Sequence, residues 1–165
     1  MGFKRILIAN RGEIAIRIAR AAAGLGMESV AVYPAIDETA LHTRYADIKA
    51  PIPGNAVDAY LNLDALIAVA KEHNCDCIHP GYGFVSENAE FAARCPDAGI
   101  TFVGPSSDVL TLFGNKVSAR ELALSLDIPV VPGSPEALPD AATAHKEATR
   151  IGFPVMLKAA GGGGG

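Results

Sequence analysis

The chain has 165 residues, 50% of them hydrophobic and 19% charged. That is enough apolar material for one compact domain, or one domain with part of a second, and too much for a wholly disordered chain. No apolar run approaches the roughly 18 residues of a membrane-spanning helix. A net charge of −4, from 14 basic and 18 acidic residues, lacks the basic footprint of a nucleic-acid binder. The start, Met1-Gly2-Phe3-Lys4-Arg5, carries neither a signal-peptide pattern nor an Arg-rich leader. Three cysteines, an odd number without a disulfide framework, fit a reducing, cytoplasmic compartment.

Apolar runs and helical patterns alternate along the first half. Arg5–Ala9 is a β-branched run of the kind a buried parallel strand needs. A helix is expected from about Glu13 to Leu25, with Ile14, Ile18, Ala21, Ala22 and Leu25 on one face and Arg17 and Arg20 on another. Gly26 is placed to stop it. Ser29–Tyr33 reads as a second strand ended by Pro34, and 37–47 as room for a short helix. Pro51, Pro53 and Gly54 read as a loop. Asn62 caps a helix to about Glu72, with Leu63, Leu66, Ile67 and Ala70 inward. Cys75–His79 is the third expected strand. Ser86 is expected to cap the next helix, to about Arg94, and Ile100–Val103 is the fourth strand. The βαβαβαβ order implies an α/β, Rossmann-like parallel sheet with right-handed crossovers. Chemistry in such sheets gathers in loops at the carboxyl ends of the strands.

After about Phe113 the character changes. Ser106–Phe113 is one helix, broken at Gly114-Asn115, and a second runs from Lys116 to Leu126. Residues 129–139 are proline-rich and extended. Asp140 caps a helix ending near Gly152, and Phe153–Ala159 reads as an apolar strand carrying Lys158. A boundary falls near 110–116, and the second unit has too few partners to close a core.

Three strand-end loops are chemically loaded: 10–13, 80–87 and 104–108. Asn10-Arg11-Gly12-Glu13 lies where a dinucleotide fingerprint would, but it is not G-x-G-x-x-G, and Tyr33-Pro34 stands where an acidic residue would close the second strand. That argues against a nicotinamide site and leaves a tight turn or a substrate-facing role. His73, Cys75, Cys77 and His79 are poorly spaced for zinc, because alternate strand residues stand in a line and do not converge. Small buried thiols account for them better, and no metal ligand is assigned. His79-Pro80-Gly81-Tyr82-Gly83-Phe84 combines glycines, a proline and an aromatic in one loop, which permits close ligand approach. Ser86-Glu87 at the following helix start would offer N–H groups to an anion. At the other end, Lys158 precedes Gly161–Gly165. A lysine closing an apolar strand is costly to bury unless an anion meets it, and glycines after it can aim N–H groups at phosphate oxygens. The glycine run reads either as a flexible tether or as a chain cut inside a phosphate-binding loop. Lys116 is a second candidate cation.

These motifs, Ile8-Ala9-Asn10-Arg11-Gly12-Glu13-Ile14-Ala15, His79 through Asn88, Phe102-Val103-Gly104-Pro105, Lys116, and Lys158 with its glycines, resemble in order and spacing the biotin carboxylases. Those are the ATP-grasp components of acetyl-CoA, propionyl-CoA and pyruvate carboxylases. The resemblance covers the whole chain. It implies that residues 1–113 are a Rossmann-like pre-ATP-grasp domain and that 114–165 begin an ATP-grasp domain, truncated in its glycine loop. It implies ATP-dependent carboxylation of biotin by bicarbonate through carboxyphosphate, assisted by Mg2+ or Mn2+. Carried over by position, Lys116 and Lys158 contact ATP, Gly164 and Gly165 close on its phosphates, and Tyr82 and Gly83 line the biotin and bicarbonate end. The implied partners are a biotin carboxyl carrier protein or domain, a carboxyltransferase component, and a second copy of the chain meeting the Arg17 and Arg20 face. One departure is Asn115, where relatives commonly carry Asp. The metal-binding glutamates and catalytic arginine would lie beyond residue 165, so no catalytic residue is assigned within the chain, and the chain alone is expected to be inactive. The alternatives are another ATP-grasp ligase, such as a carbamoyl-phosphate synthetase, or a non-catalytic binding or dimerisation module.

Overall fold

In the computed structural model, which describes residues 2–134 and 136–158, the first apolar run becomes strand β1 (Arg5–Ile8), buried from Ile6 onward. Helix α1 (Gly12–Gly24) follows. It ends as Gly26 enters the left-handed region at φ +70. The Gly26 N–H then bonds Ala23 O at 3.0 Å and the Met27 N–H bonds Ala22 O at 2.9 Å, the paired bonds of a Schellman stop. Strand β2 (Glu28–Tyr33) leads through a 3-10 turn (Ala35–Asp37) and the short α2 (His42–Tyr45) to β3 (Ile48–Pro51). Helices α3 (Ala56–Tyr60) and α4 (Leu63–Glu72) cross back to β4 (Cys77–His79). Helix α5 (Ala89–Asp97) then leads to β5 (Thr101–Phe102).

The five strands pair in parallel in the order β3-β2-β1-β4-β5. The expected α/β parallel sheet is therefore present, with one strand more than the sequence pattern gave. β3 is the addition. Its four residues end on Pro51, which reads as a loop signal. An edge strand tolerates a proline because its N–H side needs no partner, and Tyr33 still pairs with Pro51. The expected helix within 37–47 shrinks to the 3-10 turn and α2, and α3 lies in a stretch that carried no helix expectation.

The face of α1 is rotated from the expected one. Ala15, Ile18, Ala19 and Ala22 are buried, whereas Ala21 is exposed and Leu25 is 78% exposed. Alanines at 15, 19 and 22 let the helix lie close over Ile6, Ile8 and Cys77, and this cluster forms the core on that side of the sheet. Alternation sends Leu7 to the opposite face, where it is fully buried. Helix α4 keeps its expected cap, the Asn62 side chain accepting from the Ala65 N–H at 3.0 Å. Of its expected inward residues Leu66 and Ala70 are buried, Leu63 and Ile67 only half-buried, and Val69 is buried in addition. Helix α5 does not start at Ser86. Asn88 is its cap, accepting from the Phe91 N–H at 2.8 Å, because residues 83–88 are spent in a turn closed by the Ser86 N–H on Gly83 O. Phe91 then packs edge-on against Phe102, ring centroids 5.9 Å apart.

Two compact units divide the chain, Met1–Ser107 and Asp108–Gly165. After α6 (Ser107–Gly114), the second holds α7 (Lys116–Ser125) and α8 (Ala141–Ile151). Each of these two has a polar cap, expected at Asp140 and not at Asn115, which reads in the sequence only as part of a helix break. Asn115 accepts from the Val117 and Ser118 N–H groups at 2.9 and 3.2 Å, and Asp140 accepts from the Thr143 N–H at 2.7 Å. The expected strand Phe153–Ala159 is absent over 153–158, which bend at 153–154 and carry no regular structure after it. A strand exists by virtue of a ladder partner, and among the described residues of this unit there is none. Of those residues only Ala148 is a buried hydrophobic, while Leu126, Val131, Met156 and Leu157 stay more than half exposed.

Candidate functional site

In a 3-2-1-4-5 sheet the strand order reverses between β1 and its neighbour β4. The loops leaving those two carboxyl ends diverge to opposite faces and leave a crevice. Here those loops are Asn10–Glu13 and Pro80–Phe84, two of the three segments the sequence marks as chemically loaded. They are locked together. Asn10 is 2% exposed, and its side-chain amide donates to Pro80 O at 2.7 Å and Tyr82 O at 2.9 Å. Its Oδ1 accepts from the Arg11 N–H at 2.8 Å. One side chain therefore satisfies two loop carbonyls and fixes its own turn, which a buried amide must do to offset its desolvation.

Gly81 must be glycine for two reasons. Its φ is +68, and a Cβ there would stand 2.7 Å from the Asn10 Nδ2, closer than any real contact. Its N–H donates to His79 Nδ1 at 3.0 Å, so that ring nitrogen is the unprotonated one. Burial holds the His79 pKa below the ordinary value, which keeps the ring neutral and the acceptor intact. Gly83 and Phe84 also adopt positive φ, +67 and +45. The Phe84 ring meets Tyr60 with centroids 5.2 Å apart. The loop thus turns sharply around Tyr82, whose side chain is 64% exposed and whose hydroxyl donates to Glu13 Oε1 at 2.7 Å.

Arg11 is engaged within the fold. Its guanidinium is held by Asp37 in a two-pronged pair, 2.8 Å at each contact, and the buried Tyr60 hydroxyl donates to the same carboxylate at 2.9 Å. Burial pushes the Asp37 carboxyl up, but the hydrogen bonds from Arg11 and Tyr60 outweigh it and hold the group below the ordinary carboxylate value. Asn10, Glu13, Asp37 and Tyr60 are the residues of this crevice that sequence reading left without roles. The available signal was Asn-Arg-Gly-Glu at a strand end. Asp37 had none, because its partner lies 26 residues away.

The thiols are sealed. Cys75, Cys77 and Cys95 are free and buried, and burial pushes them up to about 12, 11 and 11 respectively. Both burial and the raised pKa favour the protonated thiol, as suits small core residues. Among the described residues no group of three or more His, Cys, Asp or Glu gathers to hold a metal ion.

The candidate residues of the second unit divide between described and undescribed positions. Lys116 opens α7, half-buried, immediately after its Asn115 cap. Asparagine caps as well as aspartate does, so Asn115 keeps the helix start that the resemblance leads one to expect, without the charge. Lys158 lines a groove of about 600 Å3 together with Arg120, Gly133, Glu147, Ile151 and Leu157. It is exposed, and this corrects the argument that a buried strand-end lysine demands an anion. Arg120 and Arg150 tie the proline-rich segment to the helices through Val131 O at 2.6 Å and Gly133 O at 3.1 Å. Gly164 and Gly165 lie outside the described residues. The anion site expected at Ser86-Glu87 does not form a helix start, since both residues precede α5 and the Ser86 N–H is bonded to Gly83 O. Among the described residues, no helix is long and apolar enough to cross a membrane.

Comparison with known proteins gives the family of the chain. Residues 2–110 match the family described as biotin carboxylase, N-terminal domain. Residues 115–165 match the family described as carbamoyl-phosphate synthase L chain, ATP binding domain. Biotin carboxylase 2 of Bacillus subtilis is 48% identical over 164 residues, covering 99% of this chain and 37% of the relative. The small subunit of 2-oxoglutarate carboxylase from Hydrogenobacter thermophilus is 46% identical, covering 99% and 34%. Human mitochondrial pyruvate carboxylase is 47% identical, covering 98% and 14%. The crystal structure of the Hydrogenobacter biotin carboxylase domain dimer, in complex with MgADP, ADP and bicarbonate, superposes with a TM-score of 0.94 at 45% identity, covering 99% of this chain and 36% of that one. The chain thus spans 37% or less of the length of these curated relatives. With two-thirds of its residues matched by the N-terminal domain alone and close relatives along its whole length, the chain belongs to the biotin carboxylase family.

Proposed function

We propose that the chain supplies the pre-ATP-grasp domain and the first ATP-binding segment of a biotin carboxylase. A bicarbonate oxygen attacks the γ-phosphorus of ATP, and ADP leaves, giving carboxyphosphate. Carboxyphosphate breaks down to CO2 and phosphate, and the N1 of biotin, having lost its proton, takes the CO2. In this reading Lys116 and Lys158 neutralise ATP phosphate oxygens as charge builds on them. Gly164 and Gly165 contribute backbone N–H groups to the same phosphates. Tyr82 and Gly83 line the biotin and bicarbonate end. Biotin arrives on a carrier protein or domain, and a carboxyltransferase component uses the product. The Arg17 and Arg20 face of α1, where the Arg20 guanidinium lies 4.9 Å over the Tyr45 ring, meets a second copy. The protein works in the cytoplasm.

The observation that carries this reading is the Tyr82 loop at the β1/β4 reversal, which turns through positive φ at Gly81, Gly83 and Phe84 and has no room for a side chain at Gly81. It joins a 0.94 superposition onto a domain crystallised with MgADP and bicarbonate. Magnesium, when bound, neutralises charge across the phosphates. The described residues do not form a site for it, and no step here is assigned to it. Exposed Met156 and Leu157 are surfaces that the remaining length of such an enzyme would cover.

A second reading has its own support, since residues 115–165 match a family named for carbamoyl-phosphate synthase. Both enzymes would activate bicarbonate with ATP, and they differ in whether biotin or ammonia takes the product. The test uses a chimera in which these 165 residues replace the matching first third of the Hydrogenobacter small subunit. Bicarbonate-dependent ATP turnover is expected from the chimera and absent from the 165-residue chain. Lys158→Ala in the chimera lowers kcat by about 100-fold or more, and Lys116→Ala raises the KM for ATP. A folded chimera whose kcat is unchanged by Lys158→Ala overturns the assignment.

A further inference from the structure

The proposed chemistry uses Tyr82 but leaves the Asn10–Glu13 turn without a role. That turn stands where a Rossmann-like fold would hold a phosphate, and its groups are already committed. The Asn10 amide is spent on Pro80 O and Tyr82 O, the Arg11 guanidinium on Asp37, and the Glu13 carboxylate on the Tyr82 hydroxyl. Two of the three reach across to one loop, and they grip it at different levels. Asn10 holds the backbone on either side of Gly81. Glu13, on the first turn of α1, holds the tip of the side chain.

We propose that Asn10 and Glu13 are positioning residues that act as a two-point clamp on the Tyr82 loop, so that the β1–α1 turn aims Tyr82 instead of binding phosphate. The clamp depends on the proposed function only for what Tyr82 faces. Three features support it. Gly81 leaves no room for a side chain against Asn10, so the two loops are fitted to each other at one atom. The Arg11–Asp37–Tyr60 network fixes the turn from behind, and Tyr60 also meets Phe84 at the far end of the Tyr82 loop. The hydrogen bond to Glu13 holds the Tyr82 phenol above its ordinary pKa, because a carboxylate favours the protonated partner.

The test reads the loop and not turnover, so it separates the clamp from the biotin reading. In the 165-residue chain with ring-labelled tyrosine, the phenol titration of Tyr82 is followed by NMR, with Tyr82→Phe assigning the signal. Glu13→Gln, at an exposed position, is expected to bring the Tyr82 titration down toward that of an ordinary tyrosine. Asn10→Asp keeps the side-chain shape and the acceptor for Arg11 but removes both donors. It is expected to speed hydrogen exchange at the Gly81 and Ser86 amides about tenfold, with Val30 and Ile78 unmoved. An unchanged Tyr82 titration overturns the clamp, as does unchanged Gly81 exchange in a folded Asn10→Asp. If Asn10→Asp does not fold, the Glu13→Gln titration decides. A clamp that responds as expected in a chimera unable to use biotin would remove the biotin reading and leave the clamp standing.

Discussion

The two units obey the same local rules and reach different ends. In Met1–Ser107, caps and periodic faces are matched by tertiary partners: a central strand buried on both sides, α1 over Ile6 and Ile8, a buried Leu66 on α4, and loops fitted to each other at Asn10 and Gly81. In Asp108–Gly165 the caps are as good, at Asn115 and Asp140, yet Ala148 is the one buried hydrophobic among the described residues. Capping sets where a helix starts, and burial decides whether its face contributes stability. The functional consequence follows. The loop side chains of the first unit are held by hydrogen bonds, those of Asn10 to Pro80 O and of Tyr60 to Asp37 buried, whereas Lys158 stands exposed beside a groove.

The largest expected contrast tests that difference directly. Phe91 is fully buried against Phe102, so Phe91→Ala costs the first unit about 3–5 kcal/mol. Leu126 is 61% exposed, and Leu126→Ala stays within about 0.5 kcal/mol. Denaturant titration read by hydrogen exchange at amides of each unit checks both, and equal losses would erase the distinction.

Next is Gly81→Ala, which meets a positive φ and the Asn10 amide at once. The cost is about 2–4 kcal/mol, measured as the change in denaturation midpoint of the first unit. Gly83 is equally left-handed but has open space for a Cβ, so Gly83→Ala costs only about 1–2 kcal/mol. A reversed order would mean that the Asn10 contact is not tight.

Acid probes the first unit, whose buried His42 and half-buried His79 have no buried histidine as counterpart among the described residues of the second. Burial lowers the His42 and His79 pKa values below 6.5. Hydrogen bonds hold Asp47 and Asp76 below 3.8, and at Asp37 they do so against the opposing effect of burial. A group whose folded pKa is depressed contributes stability that is present above its unfolded pKa and lost as pH falls through the folded one. The first unit therefore loses stability in two stages, one beginning as pH drops below about 6.5 and another below about 3.8. Double replacement His42→Gln with His79→Gln flattens the upper stage, and Asp37→Asn shrinks the lower. Unfolding midpoints measured across that range check the order.

The smallest effect concerns Asn115. Asn115→Ala removes the cap from α7 and costs that helix about 1 kcal/mol, whereas Asn115→Asp changes it by a few tenths. Circular dichroism of the second unit resolves the pair, and a large gain from Asp would mean that charge, and not capping, matters there.

Much of the first unit was legible in the sequence, because each buried strand and the helix after it carries its own period and punctuation. The strand-end loops stood out through their glycines, and Asn62 and Asp140 announced their helices, whereas Asn115 read only as a break. What did not show has a physical reason in each case. β3 ends on an edge proline that looks like a turn. Ser86 and Asn88 are both cap residues, and only the turn over 83–88 chooses between them. The α1 pattern admits two adjacent faces, and the small alanines that decide it matter only once a sheet lies beneath. Asp37 and Glu13 act through partners 26 and 69 residues distant, a separation no local pattern encodes. The apolar run before Lys158 carries strand composition without a neighbour, and composition alone does not make a ladder.

The most direct test of the central claim follows the label from 13C-bicarbonate in the chimera, with ATP present and with biotin and ammonia both supplied. Label appearing on the N1 of biotin, lost when Tyr82 or Lys158 is replaced by alanine, is the predicted result. Label appearing in carbamoyl phosphate, or biotin left unlabelled by a folded chimera that hydrolyses ATP, would contradict it.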